Sequence, residues 1–137
     1  MSEAISFEDW QAICNAKAQY CRFLDSKQWD AFASLFTEDY ELDVSDGTDK
    51  DIIKGRDTAL KMVQESLTGA KTAHQVHLPE MTRDGDDILV IWAMQDRVIW
   101  SEEMALTGYG TYHERWVKQG GAWKIAYLKL ARYIVEM

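Results

Sequence analysis

Residues 87–99 read Asp87-Ile88-Leu89-Val90-Ile91-Trp92-Ala93-Met94-Gln95-Asp96-Arg97-Val98-Ile99. The β-branched and aromatic residues of this run predict a strand. Strand side chains alternate between two faces, so Trp92, Met94 and Asp96 share one face. A carboxylate among such neighbours costs free energy unless it is paired or used. This face must therefore border polar partners.

Similar strand-like runs lie at 72–81, 104–118 and 122–135. Asp84-Gly85 and Gln119-Gly120-Gly121 between them are hairpin signals, so the second half of the chain is an antiparallel sheet. The first half reads differently. Ser6 followed by Asp9 resembles a capping box, and Trp10, Ile13, Cys14, Tyr20, Cys21 and Leu24 recur at helical spacing, which predicts a helix over 7–25. Trp29, Phe32, Leu35 and Phe36 give a second, shorter helix, and Tyr40, Leu42 and Val44 alternate in a short strand over 37–44. Ser45 to Lys50 reads as an exposed loop. Gly55 and Asp57 introduce a third helix, carrying Ala59, Leu60, Met62, Val63 and Leu67 and ending near Gly69. Helices first and strands afterwards indicate an α+β domain over 1–137, with three helices packed on one face of a curved sheet. Such a sheet is expected to form a cone with a cavity.

The 137 residues, 47% hydrophobic, supply one core, and no stretch is apolar enough to span a membrane. Met1 to Phe7 carries Glu3 and lacks a basic segment followed by an apolar run, so a cytoplasmic location is the expectation. The net charge of -8 with scattered basic residues argues against nucleic acid as a partner. Cys14 and Cys21 lie on one face of one helix, which is poor geometry for a disulfide and suits buried thiols. Neither CxxC nor HExxH occurs, so no metal or other cofactor is expected. The six tryptophans and six tyrosines fill cores and also line pockets for flat organic ligands.

Tyr20, Asp25, His74, His77 and Asp96 are the proton-carrying side chains placed inside otherwise apolar segments. His74 beside a carboxylate would make an acid–base pair effective near neutral pH, with either Asp25 or Asp96 as its partner. Asp25 lies about 140° around a regular helix from Tyr20, so the two share a cavity only if the helix turns near Ser26. His77 has the opposite strand parity from His74. Structural roles compete with each of these readings: a helix-terminal Asp25 bonded to the Ser26-Lys27 turn, a core Tyr20, or a salt bridge from Asp96 to Arg97, Arg115, Lys129 or Arg132. Lys129 and Arg132 are expected on opposite faces of the last strand, and Lys129 shares parity with Trp123, Ile125 and Tyr127.

The segments Tyr20 to Phe36, Thr72 to Met81, Trp92 to Asp96 and Gly108 through Ile125 together resemble SnoaL-like proteins of the nuclear transport factor two superfamily, over nearly the whole chain. The resemblance implies a cystatin-like cone-shaped barrel enclosing a cavity, a homodimer, and cofactor-independent chemistry on a small molecule. It is nearest to the dehydratase-like branch. Bile-acid dehydratases have a Tyr, an Asp five residues later, and then a His and an Asp on successive strands, which here are Tyr20, Asp25, His74 and Asp96. Their C-terminal Arg corresponds loosely to Arg132. Scytalone dehydratase is similar in a second Tyr, matching Tyr40, but has Asp where this chain has Cys21. The general-base Asp of the ketosteroid isomerases would fall on Val44, and the adjacent Asp43 should point to the other side of its strand.

The expected activity is a lyase that eliminates water or a small carbonyl fragment from a hydroxylated aromatic or polycyclic molecule. His74, Asp25, Tyr20 and Asp96 would be catalytic, with Tyr40, His77, Trp92, Lys129 and Arg132 against the substrate. An isomerase or polyketide cyclase in the same cavity differs only in the fate of the carbanion. A non-catalytic binding module, with its outer sheet face in a dimer, is the alternative from another class.

Overall fold

The computed structural model describes residues 4–137, so Met1 to Glu3, which opened the argument on location, lie outside the described residues. Three helices and six strands follow one another: α1 (Phe7–Asp25), α2 (Trp29–Ala33), β1 (Phe36–Asp43), β2 (Ile53–Lys54), α3 (Arg56–Leu67), β3 (Lys71–Asp84), β4 (Asp87–Ile99), β5 (Ala105–Gln119) and β6 (Ala122–Glu136). The strands form one sheet in the order β2-β1-β6-β5-β4-β3, antiparallel except for the parallel pairing of β1 with β6. The α+β arrangement is as expected, but the barrel is not closed. Strands β2 and β3 are free edges, and the inner face is covered by α1, packed on β3 and β6, and by α3, packed on β1 and β2. No helix is long and apolar enough to cross a membrane among the described residues.

Local chemistry sets the element ends. The Ser6 hydroxyl caps α1 by accepting from the Asp9 amide at 3.1 Å, while the Asp9 carboxylate accepts from the Trp123 indole at 3.0 Å. The second helix stops earlier than the Leu35-Phe36 stripe predicts. The Leu35 carbonyl accepts from the Ile125 amide at 2.9 Å, and this bond draws Phe36 into the sheet as the first residue of β1. At the other end of β1 the Asp43 side chain accepts from both the amide and the hydroxyl of Ser45, and its other oxygen accepts from Tyr127. Gly85, and Gly120 with Gly121, take the positive φ angles that the two hairpin turns require.

The inner face of β4 is buried at every second residue from Ile88 to Val98, Asp96 included. Two irregularities reset the parity of neighbouring strands. In β3, exposed Leu78 (φ +26°) and Pro79, which cannot donate to a ladder, interrupt the pairing with β4 between His77 and Glu80. In β6 a bulge at Ala126 separates the Trp116–Ile125 pair from the Arg115–Tyr127 pair. Trp123 and Ile125 therefore point inward before the bulge, and Leu128, Leu130 and Arg132 do so after it.

Within the core, Phe32, Phe36, Tyr40 and Tyr20 stack in a chain of tilted and edge contacts with centroids 4.4–6.0 Å apart. Beneath them lies a charged pair that the sequence reading overlooks. Lys17 occupies the buried stripe Ile13-Lys17-Tyr20-Leu24 of α1 and is fully buried; it donates to the equally buried Glu114 of β5. The other Glu114 oxygen accepts from the Trp92 and Trp116 indoles at 2.7 and 2.8 Å. The Lys17 ammonium also sits over the rings of Tyr20 and Tyr112, 3.5 and 4.0 Å from their centroids.

Breaking such a pair from one side strands a desolvated charge. Lys17→Met should therefore destabilise the protein by about 3–5 kcal/mol in urea unfolding, and adding Glu114→Gln, which still accepts from the indoles, should restore much of that loss. A second prediction concerns acid. The Ser45 hydrogen bonds, aided by Tyr127, hold the Asp43 carboxyl below its ordinary value. Its stabilising contribution is thus full above the unfolded-state value near ~4 and disappears as pH falls through the lower folded-state value. Thermal melts of Asp43→Asn should show a lower melting temperature than wild type at neutral pH and a gap that closes as pH falls through that lower folded-state value.

Candidate functional site

The inward face of α1 and the first residues of β3 meet at one end of the sheet, and there the polar candidates converge. Asp25 is the last residue of α1. It does not need to share Tyr20's face, because it turns toward β3: one oxygen accepts from His74 Nδ1 at 2.7 Å and from the Thr72 hydroxyl at 2.8 Å, the other from the His74 amide at 2.8 Å. An ionised carboxylate only accepts, so the His74 Nδ1 carries a proton, and in the neutral imidazole Nε2 is the nitrogen with the lone pair. The Thr72 hydroxyl, donating to Asp25, accepts from Lys27 at 3.1 Å.

His74 and Asp96 are cross-strand partners on β3 and β4, and Nε2 of His74 lies 3.9 Å from an Asp96 oxygen. Asp96 is itself held by Arg132 of β6 in a two-pronged pair, both N···O distances 2.7 Å. Burial and this pair together leave the Asp96 side chain 4% exposed, against 26% for Arg132. Asp96 raises the guanidinium's affinity for its proton above the ordinary arginine value. The sequence left two questions open, and the geometry answers both: Asp25 is the direct partner of His74, and Asp96 pairs with Arg132.

These groups open onto a cavity of about 280 Å³. Tyr20, His74, Asp96, Tyr112 and Arg132 line its polar side; Leu24, Leu42, Val44, Met62, Val63, Leu67, Val98, Leu106, Leu128 and Leu130 line the rest, with Trp100 and Ser66 beside them. The Trp100 indole donates to the Ser66 carbonyl at 2.9 Å, tying the turn after β4 to α3. Burial pushes the phenols of Tyr20 and Tyr112 well above the ordinary tyrosine value, so both hydroxyls stay protonated and able to donate. Val44 faces the cavity and Asp43 does not, in line with the parity argument. Burial also pushes the Cys21 thiol up, to about 11, and both cysteines are free. A larger depression, about 420 Å³ beside Trp10 and Pro79, holds none of the candidate acid–base groups.

Four of the expected substrate contacts lie elsewhere. His77 is exposed on the opposite side of β3, as its parity implies. Lys129 lies on the outer face, because the Ala126 bulge reverses the parity that grouped it with Trp123 and Ile125. Tyr40 is buried among Phe36 and its neighbours, below the cavity lining, where burial raises its phenol. Trp92 points inward but ends on Glu114 in the lower core. Two positions at the cavity were missed. Tyr112 takes the place expected for Tyr40, and its signal was the inward series Gly108-Gly110-Tyr112-Glu114-Trp116 on β5. Gly108 is the other: it faces Asp96 across the ladder, and a β-carbon there would meet Asp96 Oδ1 at 2.5 Å and overlap the Arg132 guanidinium.

A family model described as a SnoaL-like domain matches residues 6–129. The chain belongs to the SnoaL-like family. A probable cyclase of Gibberella zeae is 33% identical over 141 residues, covering 94% of this chain and 94% of that protein. Among solved structures, a candidate scytalone dehydratase of Novosphingobium aromaticivorans superposes with a TM-score of 0.83 at 22% identity, over 93% of this chain and 85% of that one. A type 2 hexachlorocyclohexane dehydrochlorinase does so with a TM-score of 0.79 at 17% identity, over 92% and 86%. The fold is cystatin-like, as it is in another of these neighbours.

The two inner glycines of β5 should respond differently to alanine. At Gly110 the added methyl would run into the Ala131 carbonyl, which is backbone and cannot step aside, so Gly110→Ala should unfold at markedly lower urea than wild type. At Gly108 the obstacles are the ends of two side chains, Arg132 and Asp96, and no backbone atom. Gly108→Ala should keep most of the stability while a crystal structure shows Arg132 displaced from Asp96.

Proposed function

We propose that this SnoaL-like domain is a cofactor-independent lyase for a hydroxylated aromatic or polycyclic small molecule, with His74 as its general base and acid. The observation that carries the reading is the 2.7 Å contact between His74 Nδ1 and Asp25, which leaves Nε2 as the basic atom at the cavity wall. In this scheme Nε2 takes a proton from a carbon made acidic by a neighbouring carbonyl. The electron pair moves onto that oxygen, where the Tyr20 and Tyr112 hydroxyls donate to it. Collapse of the oxyanion forms a carbon–carbon double bond and expels hydroxide, which takes the proton from the imidazolium and leaves as water. Asp25 and Asp96 both favour that imidazolium while it exists. If the first proton comes instead from the hydroxyl of a hydroxymethyl group on the carbon beside the carbonyl, the carbon–carbon bond breaks and its electron pair passes to the carbonyl as an enolate. A one-carbon aldehyde leaves, and the imidazolium returns its proton to the enolate carbon.

The 33% identical relative named a cyclase supports a second reading, in which the same carbanion attacks a carbonyl within the substrate. Product mass separates the two: elimination lowers it by water or by the aldehyde, and isomerisation or simple ring closure preserves it. Both readings make the same demand on His74. Against a panel of hydroxylated aromatic and polycyclic ketones read by mass spectrometry, His74→Ala should abolish conversion and Asp25→Asn should lower it by roughly 10²–10⁴-fold. Unchanged turnover in His74→Ala would exclude the mechanism.

A further inference from the structure

The cavity holds one guanidinium, and its charge is already paired. Both terminal nitrogens of Arg132 are bonded at 2.7 Å to the two oxygens of Asp96, a nearly inaccessible carboxylate. Lys27, the next cation along, donates to Thr72 and is absent from the cavity lining. The charged groups of the lining, Asp96 and Arg132, sum to zero, and so do Asp25 and Lys27, bonded to the same Thr72 hydroxyl behind it; with a neutral His74 the site carries no net charge and no unpaired cation. A proton taken onto His74 is then balanced by the anion left on the substrate. The site is thus electrically balanced for a substrate that arrives neutral and becomes an anion only when His74 becomes a cation. A substrate already anionic would bring an unpaired negative charge into a low-dielectric cavity, in a protein of net charge -8.

Size points the same way. At about 280 Å³ the cavity falls below the roughly 300–1,000 Å³ that accommodates drug-sized ligands. Resting on the acid–base reading of the site, we propose that its substrate is an uncharged aromatic of one or two fused rings, and that free carboxylates are rejected because Asp96 occupies Arg132. This narrows the broader aromatic or polycyclic class.

Calorimetric titration with 2-naphthamide, 2-naphthoate and the tetracyclic ketone progesterone at about pH 7.5 tests this without any turnover, so a failure of the lyase reading and a failure of this one are separable. The amide should bind wild type at least ~30-fold more tightly than the carboxylate, and progesterone should not bind. Asp96→Asn frees the guanidinium and removes a negative charge, and should raise naphthoate affinity at least ~10-fold. Arg132→Gln covers the case in which that variant does not fold: it removes a positive charge and leaves Asp96 unpaired, so naphthoate affinity should fall below wild type while 2-naphthamide affinity stays within about threefold. Equal binding of amide and carboxylate, no gain in Asp96→Asn, or unchanged or tighter naphthoate binding in Arg132→Gln would each overturn the charge selection. Binding of progesterone, or no binding of the amide, would overturn the assigned size.

Discussion

The site depends on one carboxylate at a helix end. Asp25 receives three hydrogen bonds from the opening of β3: from the Thr72 hydroxyl, the His74 amide and the His74 ring. Each does a different thing. The amide bond occupies a donor of an edge strand, the hydroxyl bond orients the carboxylate, and the ring bond fixes which imidazole nitrogen carries the proton. A neutral amide at this position could accept no more than its single carbonyl oxygen allows, and its NH₂ would face donors. The constraint thus reaches both levels: the same atom pair that docks α1 on β3 aims Nε2 at the cavity.

The sheet then supplies the second carboxylate by register alone. His74, Asp96 and Gly108 lie opposite one another on β3, β4 and β5. Two charged or titratable side chains fit side by side because the third position has none. Arg132 reaches them from β6, where the ladder is interrupted between Tyr109 and Gly110. A regular β6 would carry a different residue over Gly108, so the cation's place is decided by two irregularities of one strand. Bulges beside functional groups commonly re-aim side chains in this way.

This is also where the sequence was readable and where it was not. The order of elements, the extent of α1 and the inward run of β4 followed from period and turn chemistry, because each depends on residues within one turn or one hairpin. His74, Asp25 and Asp96 stood out as polar groups in apolar company. The choice between Asp25 and Asp96 did not, since it rests on how a helix end meets a strand 49 residues later. Which of Lys129 and Arg132 faces the cavity stayed open as well, because a single extra residue at Ala126 reverses the parity that grouped Lys129 with Trp123 and Ile125. Phe36 passed for a helical residue because the Leu35 carbonyl bond that recruits it into the sheet comes from β6. Open edges, likewise, are a matter of how helices cover a sheet, which strand patterns alone do not encode.

The lower tier, Lys17 with Glu114, bears on the upper one through the tyrosines. A fully buried ion pair is a poor way to gain stability, since apolar residues of the same volume do as well or better. What this pair does that apolar residues would not is fix directions. The ammonium lies over both the Tyr20 and Tyr112 rings, and Glu114 takes the indoles of Trp92 and Trp116, so four aromatic side chains are tied to one charged centre. Two of the four line the cavity. Leucine or methionine in place of Lys17 and Glu114 could fill the same space, yet dispersion is non-directional and would leave ring tilt to packing alone. For the oxyanion role proposed for the two hydroxyls, in which a donor works only when aimed at the developing charge, that difference would act on orientation rather than on stability. The desolvation cost of the lower pair is then the counterpart of order in the upper one.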